Sequence, residues 1–226
     1  MGLLQKIKQG RIKSGKTTSK KPVLKKSSSK NKSSSNKSKS IKVKARSAPK
    51  GRLGRSVGQI NSNNVTLVVV PNNNYNSSVL NFVKKLDKKS FGYVSVNKGY
   101  SALIESFKNK KINLKNFFFV DCVTKTITEP KKVDNCIYVS SPKALTELSL
   151  ATTKLIMAGF DGVILDSLST MLIYHKPKEI SRFVHSIINK TRENTNLHLI
   201  LTLSSKDQDS ELFKEVEVFV DQVVEL

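Results

Sequence analysis

Two kinds of residue pattern in this chain could do chemistry. The stretch Gly10-Arg-Ile-Lys-Ser-Gly-Lys-Thr17 fits G-x-x-x-x-G-K-[ST], the loop whose backbone N–H groups and lysine converge on the phosphates of a nucleoside triphosphate. That chemistry needs a buried strand to deliver the glycine turn to a helix N-terminus. Here MGLLQKIKQ precedes the motif and TSKKPVLKKSSSK follows it, so neither strand nor apolar-periodic helix is in place. The match reads as coincidence in a segment rich in Gly, Lys, Ser and Thr. The second pattern is acids closing apolar runs: Asp166 ends GVILD and Asp121 ends FFFVD. Open α/β sheets bind ligands at that edge, yet an acid there can also cap the next loop, for Asp166 through the N–H groups of Ser167 or Ser169. Cys122, Cys136, His175, His185 and His198 have no ligand spacing, so no metal site is expected. Buried free thiols and helix-surface or loop histidines are the expectation.

The elements that must position these residues follow from an uneven composition. Of the 226 residues, the first 60 contain fifteen Lys and four Arg with no Asp or Glu, leaving 21 basic against 17 acidic residues in the rest. Residues 1–60 read as a disordered Lys/Ser-rich basic tail that cannot bury enough apolar surface to offset its ordering entropy. Residues 61–226 are long enough for one domain. No apolar run reaches the roughly 20 residues of a membrane-spanning helix, and the N-terminus lacks a secretory h-region. The expected location is cytoplasmic, with nucleoid association through the tail.

From residue 65 onward short apolar runs alternate with helix-length amphipathic segments, which predicts a parallel sheet with crossover helices. The runs begin at VTLVVV (65–70), continue through FGYVSV, NFFFVDCV, CIYVS, GVILD and LHLILTL, and end at VFVDQVVEL (218–226). Helices are predicted near 77–88, 99–110, 142–158 and 177–194. In the first, Val79, Phe82, Val83 and Leu86 share a face opposite Lys84, Lys85, Lys88 and Lys89. Ser141 and Pro142 suit the start of the third and Gly159 its stop. Pro177 suits the start of the fourth, whose apolar face carries Ile180, Phe183, Val184, Ile187 and Ile188.

Such a fold would hold a phosphate loop after its first strand, and there the chain reads PNNNYNSS. No glycine is present to supply positive φ, and no lysine to meet the β/γ-phosphates. Asn72, Asn73 and Asn74 visit left-handed conformations more readily than most residues, which leaves weak anion binding at the helix N-terminus open.

GFDGVILDSLSTML resembles the Walker B strand of RecA-superfamily ATPases of the KaiC-like branch, and SPKALTELSLATTKLIMAGFDGVILDSLS is similar to small archaeal KaiC-like proteins. LHLILTLSSKD and VFVDQVVEL resemble later core strands of that family. The resemblance spans about residues 63–226 and implies a three-layer, mostly parallel RecA-like α/β sheet flanked by helices. It puts the nucleotide site at Asn72, Asn73, Asn74, Ser77, Ser78, Asn97 and Asp166. Asp166 would take the Walker B role of orienting a water on Mg²⁺. Asn97 stands where relatives carry a catalytic glutamate, and its amide has no usable basicity. The phosphate turn and the glutamate are both missing, so a degenerate site without ATP or Mg²⁺ and without catalytic residues is expected.

The leading functional expectation is therefore an inactive RecA/KaiC-like domain serving as an interaction or regulatory module, in a homo- or hetero-oligomer with RecA-like proteins. Its tail would bind nucleic acid nonspecifically through Lys13, Lys16, Lys20, Lys21, Lys25 and Lys26, then Lys42, Lys44, Arg46, Arg52 and Arg55. With no aromatic residue before Tyr75, backbone contact with a duplex or structured RNA is favoured over base stacking. One alternative is attachment to an anionic membrane surface, since Leu3, Leu4 and Ile7 share a face amid lysines. The other is an ATPase using a divergent pocket or a phosphate loop donated from the tail.

Overall fold

The computed structural model describes residues 65–193 and 196–226. Seven strands form one parallel sheet: β1 (Val65–Val70), β2 (Phe91–Ser95), β3 (Phe117–Asp121), β4 (Cys136–Tyr138), β5 (Gly162–Asp166), β6 (His198–Ser204) and β7 (Gln222–Glu225). Their order is β4-β3-β2-β5-β6-β1-β7. Strands β1, β2, β3, β5 and β6 are buried along their whole length, which explains why their sequences are nearly continuous apolar runs rather than alternating ones.

Helices cover both faces. On one side α1 (Tyr75–Leu86) and α2 (Tyr100–Asn109) seat Val79, Phe82, Val83, Leu103 and Phe107 against Val68, Tyr93, Phe119, Ile164 and Ile200. On the other, α3 (Leu145–Met157), the short α4 (Leu168–Met171), α5 (Pro177–Arg192) and α6 (Glu211–Glu217) close a larger core around Leu67, Val94, Val163, Leu165 and Leu201. Each fully buried side chain of this kind contributes about 1.5–3 kcal/mol. The result is three layers. Among the described residues no helix is long and apolar enough to cross a membrane.

Two local expectations need correction. The helix expected from residue 142 begins at Leu145, because Ser141 turns the chain by accepting from the Lys143 N–H at 3.1 Å instead of capping the helix. Its stop is as expected, with Gly159 at φ 81° just past Ala158. His198, expected on a helix surface or loop, is buried in β6 with Nε2 2.9 Å from Thr66 Oγ1. Both cysteines are buried free thiols. Burial pushes the Cys136 thiol up to about 12 and the Cys122 thiol higher still.

Candidate functional site

The register aligns Asp121, Ser95 and Asp166 in one row where β3, β2 and β5 end. Asp166 is only 4% exposed. Its Oδ1 accepts from the Tyr75 hydroxyl at 2.8 Å, Asn97 Nδ2 at 3.3 Å and Thr202 Oγ1 at 3.3 Å, and its Oδ2 from the Tyr93 hydroxyl at 2.6 Å. Three elements and one loop supply those groups. Tyr75 is the first residue of α1, Tyr93 the centre of β2, Thr202 lies in β6 one residue past the level of Leu165, and Asn97 follows β2. Tyr93 is held edge-on against Phe107 with ring centres 5.5 Å apart, so its hydroxyl is aimed by packing.

Burial pushes the Asp166 carboxyl above its ordinary value, outweighing the hydroxyls of Tyr93, Tyr75 and Thr202 and the charge of Lys98, which pull it down. Burial, then the facing Asp166 charge, pushes both tyrosine hydroxyls far up, which keeps them protonated and donating. Among the described residues no cation forms an ion pair with Asp166. The loop that follows is capped by a hydroxyl and not by this carboxyl: Ser167 Oγ accepts from the Thr170 N–H at 3.1 Å. The Asp166–Ser167 peptide is cis.

After β1 the chain passes Pro71 into a single 3₁₀ turn, Asn72–Asn74. Asn72 is tied to the end of β6, its N–H donating to Ser205 Oγ and its Oδ1 accepting from Ser204 Oγ, both at 3.1 Å. The left-handed conformations open to these asparagines are not used: among the described residues positive φ occurs only at Lys111 and Gly159. Ser77 Oγ turns back to the Asn74 carbonyl at 3.1 Å. Of the residues expected at the site, Asn97 and Asp166 therefore meet, whereas Asn72, Asn73, Asn74, Ser77 and Ser78 make no hydrogen bond to either. The tail cations from Lys13 to Arg55 lie outside the described residues.

Asp121 has a different shell. Its Oδ1 accepts from the N–H groups of Val123 and Thr124 at 2.7 and 2.9 Å, and its Oδ2 from the Tyr100 N–H at 2.7 Å and from the Thr124 hydroxyl. This carboxyl closes the β3 loop and anchors the start of α2. Among the described residues no group of His, Cys, Asp and Glu could hold a metal ion.

Sequence reasoning missed Tyr75, Tyr93 and Thr202. The signal for two of them was a polar residue inside an apolar strand, in FGYVS and HLILTLS; such a group needs a partner when buried.

The fold is that of a RecA/KaiC-like domain, on its similarity to the KaiC-like protein PH0186 from the hyperthermophilic archaeon Pyrococcus horikoshii OT3, with a TM-score of 0.53 and 13% identity over 73% of this chain and 74% of that one. The flagellar accessory protein FlaH from Methanocaldococcus jannaschii aligns with a TM-score of 0.49 and 12% identity over 75% of this chain and 74% of that one. At such identities the likeness concerns the fold. A family described as "Family of unknown function (DUF7504)" matches residues 116–226, a span that includes Asp166 and Thr202 but not the β1–α1 turn, Tyr75, Tyr93 or Asn97. No curated protein matches the chain.

Proposed function

We propose that this chain is a RecA/KaiC-like domain kept for interaction rather than nucleotide hydrolysis, joined to a polycationic segment that binds nucleic acid through its phosphates. The observation that carries the reading is the Tyr75 hydroxyl on Asp166. An aspartate that orients a water on Mg²⁺ must present a lone pair to that water. Here Tyr75, Asn97 and Thr202 crowd Oδ1, Tyr93 holds Oδ2 and the carboxyl is buried, and Tyr75 reaches it from the first residue of the helix whose N-terminus would face the phosphates. The preceding turn offers neither glycine, lysine nor positive φ, and the N–H of Asn72 is already given to Ser205. The residues present do not fit Mg·ATP. What remains is an intact fold, suited to pairing with another copy or with a RecA-like partner.

Residues 1–60 supply the second half of the reading: nineteen cations without an acid create a sequence-independent attraction to phosphate backbones. If roughly 6–10 of them contact phosphates, affinity falls by about 10³–10⁵ between 50 and 200 mM salt. Titration of the full chain with a fluorescent ATP analogue and Mg²⁺ tests the first half, and no saturable micromolar binding is expected. Binding abolished by Asp166→Asn would overturn it in favour of a divergent pocket, and binding abolished by Lys16→Ala in favour of a loop donated by GRIKSGKT.

A further inference from the structure

The edge of the sheet opposite Asp166 gathers lysines that the site above does not use. Helix α1 ends with Lys84 and Lys85 and leads into Lys88 and Lys89; α2 ends with Lys108 and leads through Lys110 and Lys111 to Lys115. The two ends are pinned together. Lys84 Nζ bridges Asp87 at 2.7 Å and bonds the Lys111 carbonyl, Lys110 Nζ bonds Asn81 Oδ1 at 2.9 Å, and Asn116 Nδ2 reaches the Asp87 carbonyl at 2.6 Å. With Lys84 and Lys110 spent as clamps, Lys85, Lys88, Lys89, Lys108, Lys111 and Lys115 remain exposed, and none of them forms an ion pair with a carboxylate among the described residues. Residues 84–115 hold nine lysines against Asp87 and Glu105.

We infer that this edge is a phosphate-backbone surface of the folded domain that takes duplex nucleic acid, an inference that extends the nucleic-acid reading of the tail. Lysines in the last turn of a helix complement its dipole, which accounts for Lys84, Lys85 and Lys108. It does not account for Lys88, Lys89, Lys111 and Lys115, which lie beyond the helices. Lys111 holds φ 52°, a conformation suited to glycine. β1 begins at Val65 on this same edge. The sheet order puts β1 three strands from β2, about 14 Å at the usual spacing, well within one duplex turn of about 34 Å. Of the acids at this edge, Asp161 accepts from Ser90 and Asp221 from the Val65 N–H and Arg192, while Glu193 and Glu217 lie at the ends of α5 and α6 in the other helical layer.

Membrane lipid is the poorer occupant. A surface that lies on lipid carries apolar side chains beside its lysines, whereas the exposed large apolar residues are Ile127, Leu150, Met157, Ile173, Tyr174 and Val218, none of them in 84–115. The aromatic rings of this region are turned inward: Phe82, Phe91, Phe107 and Phe117 are buried. Nothing is offered for stacking single-stranded bases, so a duplex backbone is the fitting partner.

The test is a salt titration of the full chain on a 30-bp duplex by fluorescence anisotropy. Replacing Lys85, Lys88, Lys108 and Lys111 together by Gln should flatten the slope of log K against log salt by about 3–4, near 0.9 for each phosphate that is no longer neutralised. An unchanged slope overturns the inference. Replacing Lys13, Lys16, Lys25 and Lys26 by Gln in a separate chain reports on the tail: if only this variant loses slope, the tail reading stands and the edge does not; if only the edge variant does, the reverse holds. Amine acetylation of the unsubstituted chain gives a second readout. Duplex should protect Lys85, Lys88, Lys108 and Lys115 while Lys154, Lys178 and Lys214 on the opposite layer stay reactive. Protection by phosphatidylserine vesicles but not by duplex would also overturn it.

Discussion

Asp166 and Asp121 end the two strands that flank β2, in one row of the sheet, at 4% and 1% exposure. Their shells are nevertheless built by opposite means. Three of the four donors to Asp121 come from Val123 and Thr124, two and three residues on, so the acid organises its own loop as the chain turns. Asp166 draws instead on Tyr75, Tyr93 and Asn97, separated from it by 91, 73 and 69 residues, and on Thr202, 36 residues on. Its shell exists only once α1, β2, β5 and β6 are assembled. One acid is a local cap; the other is a junction of distant elements.

The difference is sharpest in the cost of deleting one hydroxyl. Tyr93→Phe keeps the ring packing against Phe107 but strips the shortest donor from a buried carboxyl, and hydrogen bonds to charged groups are worth about 1.5–3 kcal/mol. A loss of about 2–3 kcal/mol in urea unfolding is expected. A loss below about 0.5 kcal/mol would show that Asp166 does not depend on its distant partners.

Asp166 also gives the comparison a pH signature. Its folded pKa is raised by burial above the ordinary aspartate value of 3.8. A raised carboxyl stabilises fully below the unfolded value, and that stability is lost as pH rises through the folded value, with a slope of up to about 1.4 kcal/mol per pH unit. Asp166→Asn removes this dependence. The stability of the variant relative to the parent should therefore improve as pH rises from about 4 across the window of the folded pKa, apart from a constant offset for the altered hydrogen bonds. A relative stability that worsens with rising pH would mean that the hydroxyls outweigh burial.

How much of this was legible in the sequence follows the same local-versus-distant division. Apolar runs announced all seven strands, in five of them because a strand covered on both faces needs no alternation, and of the four expected helices the first and fourth showed their buried stripe. Helix α6 was missed because ELFKEVE spans only seven residues between strand-like runs, too short for a periodic signal. Its cap, Ser210 accepting from the Phe213 N–H, is visible only in the structure. At the site, Asp166 was recognisable from its place at a strand end, Asn97 only through the family resemblance, and the turn without glycine from its composition. Tyr75 was not, since a tyrosine opening a helix reads as ordinary until its hydroxyl is seen across the sheet edge on Asp166. The lysine edge was half visible: the α1 lysines were read as a solvated face, and only the clamps through Asn81, Asp87 and Lys111 bring α2's lysines beside them.

The smallest effect belongs to Asp121. Thr124→Val removes one hydroxyl donor, yet the N–H groups of Tyr100, Val123 and Thr124 still hold both carboxylate oxygens, and those bonds are fixed by the backbone and not by a side-chain rotamer. The loss should be about 0.5–1 kcal/mol, the scale of a single net hydrogen bond. Gly99 adds a control at the same place, because a Cβ there would come 2.7 Å from Thr124 Oγ1. Gly99→Ala alone must push Thr124 aside, whereas Val at position 124 gives up no further bond once the hydroxyl has been displaced. Unfolding of the two single variants and the double variant should therefore show costs that sum to more than the double. Strict additivity would mean that the Thr124 hydroxyl is not what Asp121 relies on.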